Sequence, residues 1–217
     1  MAQALISMFD IRYRIKNAGP SPDSNRRTEL YFAGCKKAAS GSPCKNCFNQ
    51  ALWEPQNVLK KTPEEILDCL ERHNIPRYIT IVGGEPTDQL EGLLEFGRLA
   101  KDKGYHIILF SWHNEEWLRD NLKEGLNYFD IIIPGEYQES LRIYNEEKDD
   151  GLHNAVGSSN QWVWVTSHDI LIRAGRISSL NLVNDSNDAL YLEVKFNDGK
   201  LARFIQYRFG LLRCQNQ

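Results

Sequence analysis

No stretch of this chain approaches the length of a membrane span, and it contains neither an internal repeat nor a low-complexity tract. The N-terminal MAQALISMFDIRYRIK lacks a basic start, and its apolar stretch is too short for a secretion signal, so a cytoplasmic protein with no membrane partner is expected. Charge of one sign is scarce as well. Lys and Arg number 26 against 29 Asp and Glu, for a net charge of −3. Such a balance argues against a broad phosphate-neutralising surface and so against nucleic acid as a partner. What remains is ordinary for a soluble globular chain: 217 residues, 41% apolar and 25% charged, enough for one sizeable core or one domain with an appendage.

The cysteines are unevenly spread. Of five, Cys35, Cys44 and Cys47 fall within GCKKAASGSPCKNCFNQALWEP at 34–55, while Cys69 and Cys214 lie far away. In a reducing compartment, clustered cysteines more often hold metal or do chemistry than form bridges. A structural zinc site would need a fourth ligand, from Cys69, His73 or elsewhere. An iron–sulfur cluster on three thiolates would leave one iron open for a substrate or cofactor. Spacing alone leaves both open.

Strand and helix signals alternate through the first two thirds. A strand is predicted at about Phe9–Ile15, and TELYFAG forms a second that runs into Cys35. TPEEILDCLERH reads as a helix with Thr62 as N-cap and Pro63 in its first turn. YITIVGG, YHIILF and FDIIIPG are short apolar strands, separated by the helices LEGLLEFGRLAKDKG, stopped by Gly104, and NEEWLRDNLKEG. Nearly uninterrupted apolar strands alternating with helices predict an α/β fold with a parallel sheet. From about Trp162 the helix signals fade, and YLEVKFNDGKLARFIQY predicts a hairpin around Asn-Asp-Gly.

GGEPT at 83–87 directly follows a predicted strand. Two glycines there would let backbone approach a ligand, Glu85 supplies charge and Pro86 fixes the loop. Ligands of parallel α/β folds sit at the carboxyl ends of strands, so this loop and the cysteine loop should share one rim.

Together these motifs resemble the radical S-adenosylmethionine superfamily, and more narrowly the family of anaerobic ribonucleoside-triphosphate reductase activating proteins. Gly34-Cys35, Cys44-Lys45-Asn46-Cys47-Phe48-Asn49, Ala51-Leu52-Trp53, Gly83–Pro86, Phe129–Gly135 and Gly157-Ser158-Ser159-Asn160-Gln161 carry the resemblance, over roughly residues 9–161. The eight residues between Cys35 and Cys44 exceed the superfamily's usual spacing. Lengthening a flexible loop costs only about 0.6 kcal/mol per doubling, so an enlarged loop can still wrap a cluster.

The resemblance implies an incomplete parallel (β/α) barrel of radical SAM type over residues 1–161; the β-rich C-terminal extension over 162–217, read from the strand and hairpin pattern, has no counterpart in the family. It implies a [4Fe-4S] cluster on Cys35, Cys44 and Cys47, with S-adenosylmethionine on the open iron. Gly83, Gly84, Glu85 and Pro86 would hold the methionyl end, and Ser111 and Asp130 would offer polar contacts. A side chain at Gly84 is then expected to weaken cofactor binding and spare the cluster. The implied partners are the large subunit of a glycyl-radical ribonucleotide reductase and a flavodoxin-like or other one-electron donor. A radical enzyme acting on a small molecule, such as a modified purine, and a zinc-stabilised binding module are the alternatives. Cys69 reads as a small core residue, His113 as a helix-cap neighbour, Trp53 as packing over the cluster loop, Cys214 as inert, and Asn145–Asp150 as a solvated turn.

Overall fold

The computed structural model describes residues 4–16, 18–22, 26–54, 56, 58–73, 77–145, 147, 151–185 and 189–208. Its strands are β1 (Ile6–Lys16), β2 (Arg26–Phe32), β3 (Leu59–Lys61), β4 (Tyr78–Gly83), β5 (His106–Ser111), β6 (Ile131–Pro134), β7 (Trp162–Val165), β8 (Ile170–Arg173), β9 (Ile177–Asn184), β10 (Ala189–Phe196) and β11 (Leu201–Arg208). The helices are α1 (Lys36–Ala39), α2 (Pro63–Arg72), α3 (Leu90–Asp102), α4 (Glu115–Leu122) and α5 (Gly151–Ala155). The fold is α/β, with an eight-stranded sheet in the order β3-β1-β2-β4-β5-β6-β7-β8 and a three-stranded sheet in the order β11-β10-β9.

The expected parallel order holds for β2, β4, β5 and β6. Antiparallel strands flank them on both sides, so the large sheet is mixed. Parallel pairing needs a crossover of a dozen residues or more, usually helical. Only residues 17–25 join β1 to β2, and only 166–169 join β7 to β8, so these pairs turn back on themselves.

Local chemistry sets the helices. At the start of α2 the Glu65 N–H donates to Thr62 Oγ1 at 3.2 Å, and the Thr62 N–H donates to the Glu65 carboxylate at 2.8 Å. This reciprocal cap satisfies two N-terminal donors. Asn114 caps α4 by accepting the Trp117 N–H at 2.9 Å, and Gly104 ends the α3 region at φ +77°. Apolar faces of α2, α3 and α4 bury Ile66, Leu70, Phe96 and Leu118 against one face of the large sheet.

The opposite face changes character along one register row. Arg12, Glu29, Thr80, Ile108, Ile131 and Val165 are successive cross-strand partners from β1 to β7. The apolar end of this row packs on α5 and on Leu180, Leu182, Leu190, Leu192 and Val194 of the small sheet. The hairpin at Asn197-Asp198-Gly199 forms as expected, with Gly199 at φ +84°. β7 and β8, which follow residue 161, pair onto β6 in the large sheet. The polar end of the row is left to a pocket.

Arg27 lies behind the floor of that pocket, bonded to Thr80, which lines it. Fully buried, it donates to Pro20 O at 2.8 Å, Ile79 O at 2.5 Å, His106 O at 3.0 Å and Thr80 Oγ1 at 2.9 Å. Arg27→Met strands several buried acceptors, so a loss of about 2–4 kcal/mol is expected, read as a lowered urea midpoint. An unchanged midpoint would show that the floor does not depend on this guanidinium. Cys69 is partly buried on α2, its Sγ 3.0 Å from the Tyr13 hydroxyl oxygen. Cys214 and residues 146 and 148–150 of the acidic stretch lie outside the described residues.

Candidate functional site

The carboxyl ends of β2, β4, β5 and β6 meet at one rim. The Gly84 N–H donates to Phe32 O at 2.9 Å and the Glu85 N–H to Gly34 O at 2.7 Å, binding the glycine loop to the segment before Cys35. The Gly34 N–H donates to Leu52 O at 2.8 Å and the Cys35 N–H to Trp53 O at 3.2 Å, which closes the cysteine loop on itself. The long Cys35–Cys44 spacing is taken up by α1, where the Ala39 N–H donates to Cys35 O at 3.0 Å, followed by a turn at Gly41.

A cavity of about 370 Å³ opens beneath this rim, in the size range of small-molecule sites. Cys35, Cys44, Cys47, Gly83, Gly84, Glu85, Pro86 and Ser111 all line it, as does Trp53. Asp130 does not. It precedes β6, at the amino end of the strand, where its carboxylate accepts the Ile107 N–H at 2.8 Å and pairs with Lys101 at 2.5 Å. A strand-end carboxylate looks the same from sequence at either end; only the direction of the strand separates the ligand rim from the opposite one.

The glycines act differently from expectation. A Cβ on Gly83 would lie 2.1 Å from Phe32 O, and one on Gly84 1.9 Å from Gly34 O. Their lack of side chains lets β4 and its loop approach the backbone of β2 and the cysteine loop. Glu85 is 2% exposed and accepts from the Thr87 N–H at 3.1 Å, the Thr87 hydroxyl at 2.6 Å and the Trp112 N–H at 3.0 Å, tying the β4 loop to the β5 loop.

Burial raises Glu85 to a pKa of about 7 from 4.5, with these hydrogen bonds pulling the other way. Since the folded pKa is the higher one, folding favours the protonated acid; its contribution is complete below about pH 4.5 and is lost as pH rises to about 7. The difference is worth about 3 kcal/mol. In the cluster-free chain, the fall in urea midpoint across this window is expected to flatten in Glu85→Gln. Equal slopes in the two proteins would refute it.

Burial also pushes the Cys35 and Cys44 thiols up, Cys44 to about 12, so metal binding has to displace protons from these two. Among the described residues no three His, Cys, Asp or Glu side chains converge as the ligands of a single ion would. Cys35, Cys44 and Cys47 all line the one cavity, a donor set of the chemical kind that iron–sulfur clusters use.

Ser111 Oγ accepts the His113 N–H at 3.1 Å. His113 stacks between Trp112 and Trp117, with ring centres 3.8 and 3.5 Å away, and burial lowers it to about 4. The Gly157–Gln161 signature fastens the loop after β6. Gln161 Oε1 accepts the Gly157 and Ser158 N–H groups at 3.0 and 3.1 Å, and its Nε2 donates to Gly135 O at 2.8 Å.

Sequence reasoning missed Glu29, Tyr31 and Thr80 on the pocket walls and Phe48, Tyr137 and Tyr144 at its side. The Tyr31 hydroxyl donates to Glu29 at 2.7 Å, and Phe48 packs on both tyrosines at 4.6 and 5.3 Å between ring centres. Polar residues at alternate positions in TELYF and YITIV were the available signal. The aromatic contact joins segments about ninety residues apart and left no local trace.

Comparison with known proteins adds two observations. The profile of the 4Fe-4S single cluster domain family matches residues 24–164. The chain is 27% identical over 127 residues to the pyruvate formate-lyase-activating enzyme of Clostridium pasteurianum, covering 56% of this chain and 50% of that protein. It is 25% identical over 146 residues to the anaerobic ribonucleoside-triphosphate reductase-activating protein of Enterobacteria phage T4, covering 64% and 83%. It thus spans half the length of the first relative and most of the second.

Proposed function

The chain belongs to the 4Fe-4S single cluster domain family, and from that premise we propose that it is a radical S-adenosylmethionine activase. The observation that carries the reading is one pocket, at the carboxyl ends of parallel strands, lined by three thiols and by the Gly83–Pro86 loop. Cys35, Cys44 and Cys47 would hold a [4Fe-4S] cluster. When bound and reduced, that group supplies one electron to the sulfonium of S-adenosylmethionine, releasing methionine and a 5′-deoxyadenosyl radical.

The protein's own part is placement and exclusion of water. Gly83–Pro86 backbone and Ser111 border the space for the cofactor, while Trp53 and Trp112 shield its edge. The mixed sheet would be the wall of the incomplete barrel, with residues 1–161 as the reacting core; of the extension at 162–217, β7 and β8 lengthen that wall and the small sheet covers its apolar end. The partner is a glycyl-radical enzyme, most specifically an anaerobic ribonucleotide reductase, from which the radical abstracts a glycine hydrogen. A flavodoxin-like protein supplies the electron, and the setting is cytoplasmic. No helix among the described residues is long and apolar enough to cross a membrane.

The test is anaerobic reconstitution with iron and sulfide, reduction, and assay of 5′-deoxyadenosine with and without the anaerobic ribonucleotide reductase. A brown, reducible protein whose 5′-deoxyadenosine yield rises with the reductase supports the reading. Zinc bound in place of a cluster, or no cleavage at all, would overturn it. Cleavage that ignores the reductase would move the assignment to a small-molecule substrate.

A further inference from the structure

Lys37 lies two residues beyond Cys35, on α1, yet its side chain is only 16% exposed. Its ammonium sits 4.9 Å from the centre of the Trp112 ring and 3.5 Å from Glu136 Oε2. Trp112 is held in turn, by the Glu85 carboxylate on its backbone N–H and by the stack with His113 and Trp117. Glu136 follows Gly135 at the end of β6, and its carbonyl accepts the Asn160 amide at 2.8 Å. Lysines ordinarily keep much rotamer freedom. This one is drawn across the rim from the cysteine loop to the ends of β5 and β6. Trp112, the ring that Lys37 covers, lines the same cavity as the three cysteines, and of the two charges Glu136 acts more strongly on the Cys44 thiol, opposing a thiolate that Lys37 favours.

We infer that the Lys37–Glu136 pair sets the reduction potential of the centre held by Cys35, Cys44 and Cys47, with Lys37 raising it and Glu136 lowering it. This rests on the activase reading. One-electron reduction adds a negative charge to the centre, so a neighbouring cation stabilises the reduced form and a neighbouring anion destabilises it. Neither residue is a ligand; both are positioning residues that act through the field at the thiolates. At Cys44 the Glu136 charge outweighs that of Lys37, although Glu136 is 45% exposed and Lys37 is better shielded from solvent, so two opposing effects of similar size are expected.

Reductive titration of the reconstituted full chain, followed by visible absorption and electron paramagnetic resonance without S-adenosylmethionine, tests this. Lys37→Met is expected to disfavour reduction about tenfold, a midpoint lower by about 59 mV for one electron. Glu136→Gln is expected to raise the midpoint by a comparable amount, and Lys37→Arg to keep the wild-type value. Both shifts shrink in high salt. A merely structural role predicts lost cluster, or shifts of one sign. Unchanged midpoints, or the same sign in both variants, overturn the inference. If Lys37→Met fails to load, Glu136→Gln decides alone, by rising or not. Wild-type protein that takes up no reducible cluster overturns the activase reading itself, before any variant is compared.

Discussion

Cys44→Ala is expected to strip iron and sulfide from the reconstituted protein to background while leaving the fold standing. Cys44 lies in the rim loop rather than in either apolar core, and its contribution to the cluster-free fold is that of a half-buried loop side chain. Substitutions of that kind usually change stability by only about 0.5 kcal/mol. In the proposed cluster its contribution would be of another order, since two remaining thiolates would leave a second iron without a protein ligand. Iron and sulfide assays, the visible spectrum, and urea midpoints of both cluster-free proteins measure the two effects separately. Cys69→Ala, on α2 beside Tyr13, should keep its full iron content. Undiminished iron in Cys44→Ala would remove that residue from the ligand set.

Gly84→Val is expected to cost both the fold and the centre. Read from sequence, a side chain here would point at the cofactor and spare the cluster. In the structure its Cβ would meet Gly34 O at 1.9 Å, Gly34 C at 2.5 Å and Leu52 O at 3.0 Å. These are backbone atoms of the cysteine loop and cannot rotate away. Overpacking against movable side chains costs about 1–3 kcal/mol, and rigid backbone puts this substitution at or above the upper figure. The Glu85 N–H to Gly34 O bond would be lost with it, and so the position of Cys35. The expected result is a loss of about 3 kcal/mol or more of unfolding free energy, read from a lowered urea midpoint, together with reduced iron uptake. Wild-type stability and iron with weakened S-adenosylmethionine binding would restore the first reading.

Helix positions were legible because their causes are local. The Thr62–Glu65 cap, the apolar spacing of Ile66, Leu67 and Leu70, and the stop near Gly104 each involve residues within a few positions of one another. The cysteine trio and the glycine loop were legible because each directly follows a strand, and strand ends of parallel units share a rim. Strand direction was less so: β1 read as a strand, but its antiparallel pairing with β2, like that of β7 with β8, follows from connections too short to cross over.

From its sequence alone, then, this protein's helices α2, α3 and α4, its hairpin at Asn197–Gly199 and its candidate metal-binding thiols could be read, since propensity, capping and period act over a few residues. Only the folded chain decided that Asp130 faces the wrong end of β6, that Gly84 serves the Gly34 backbone, that Glu85 is a buried staple, and that Lys37 meets Glu136 across 99 residues of sequence. Those contacts arise from register and chain closure. Nothing near either partner in sequence specifies the other.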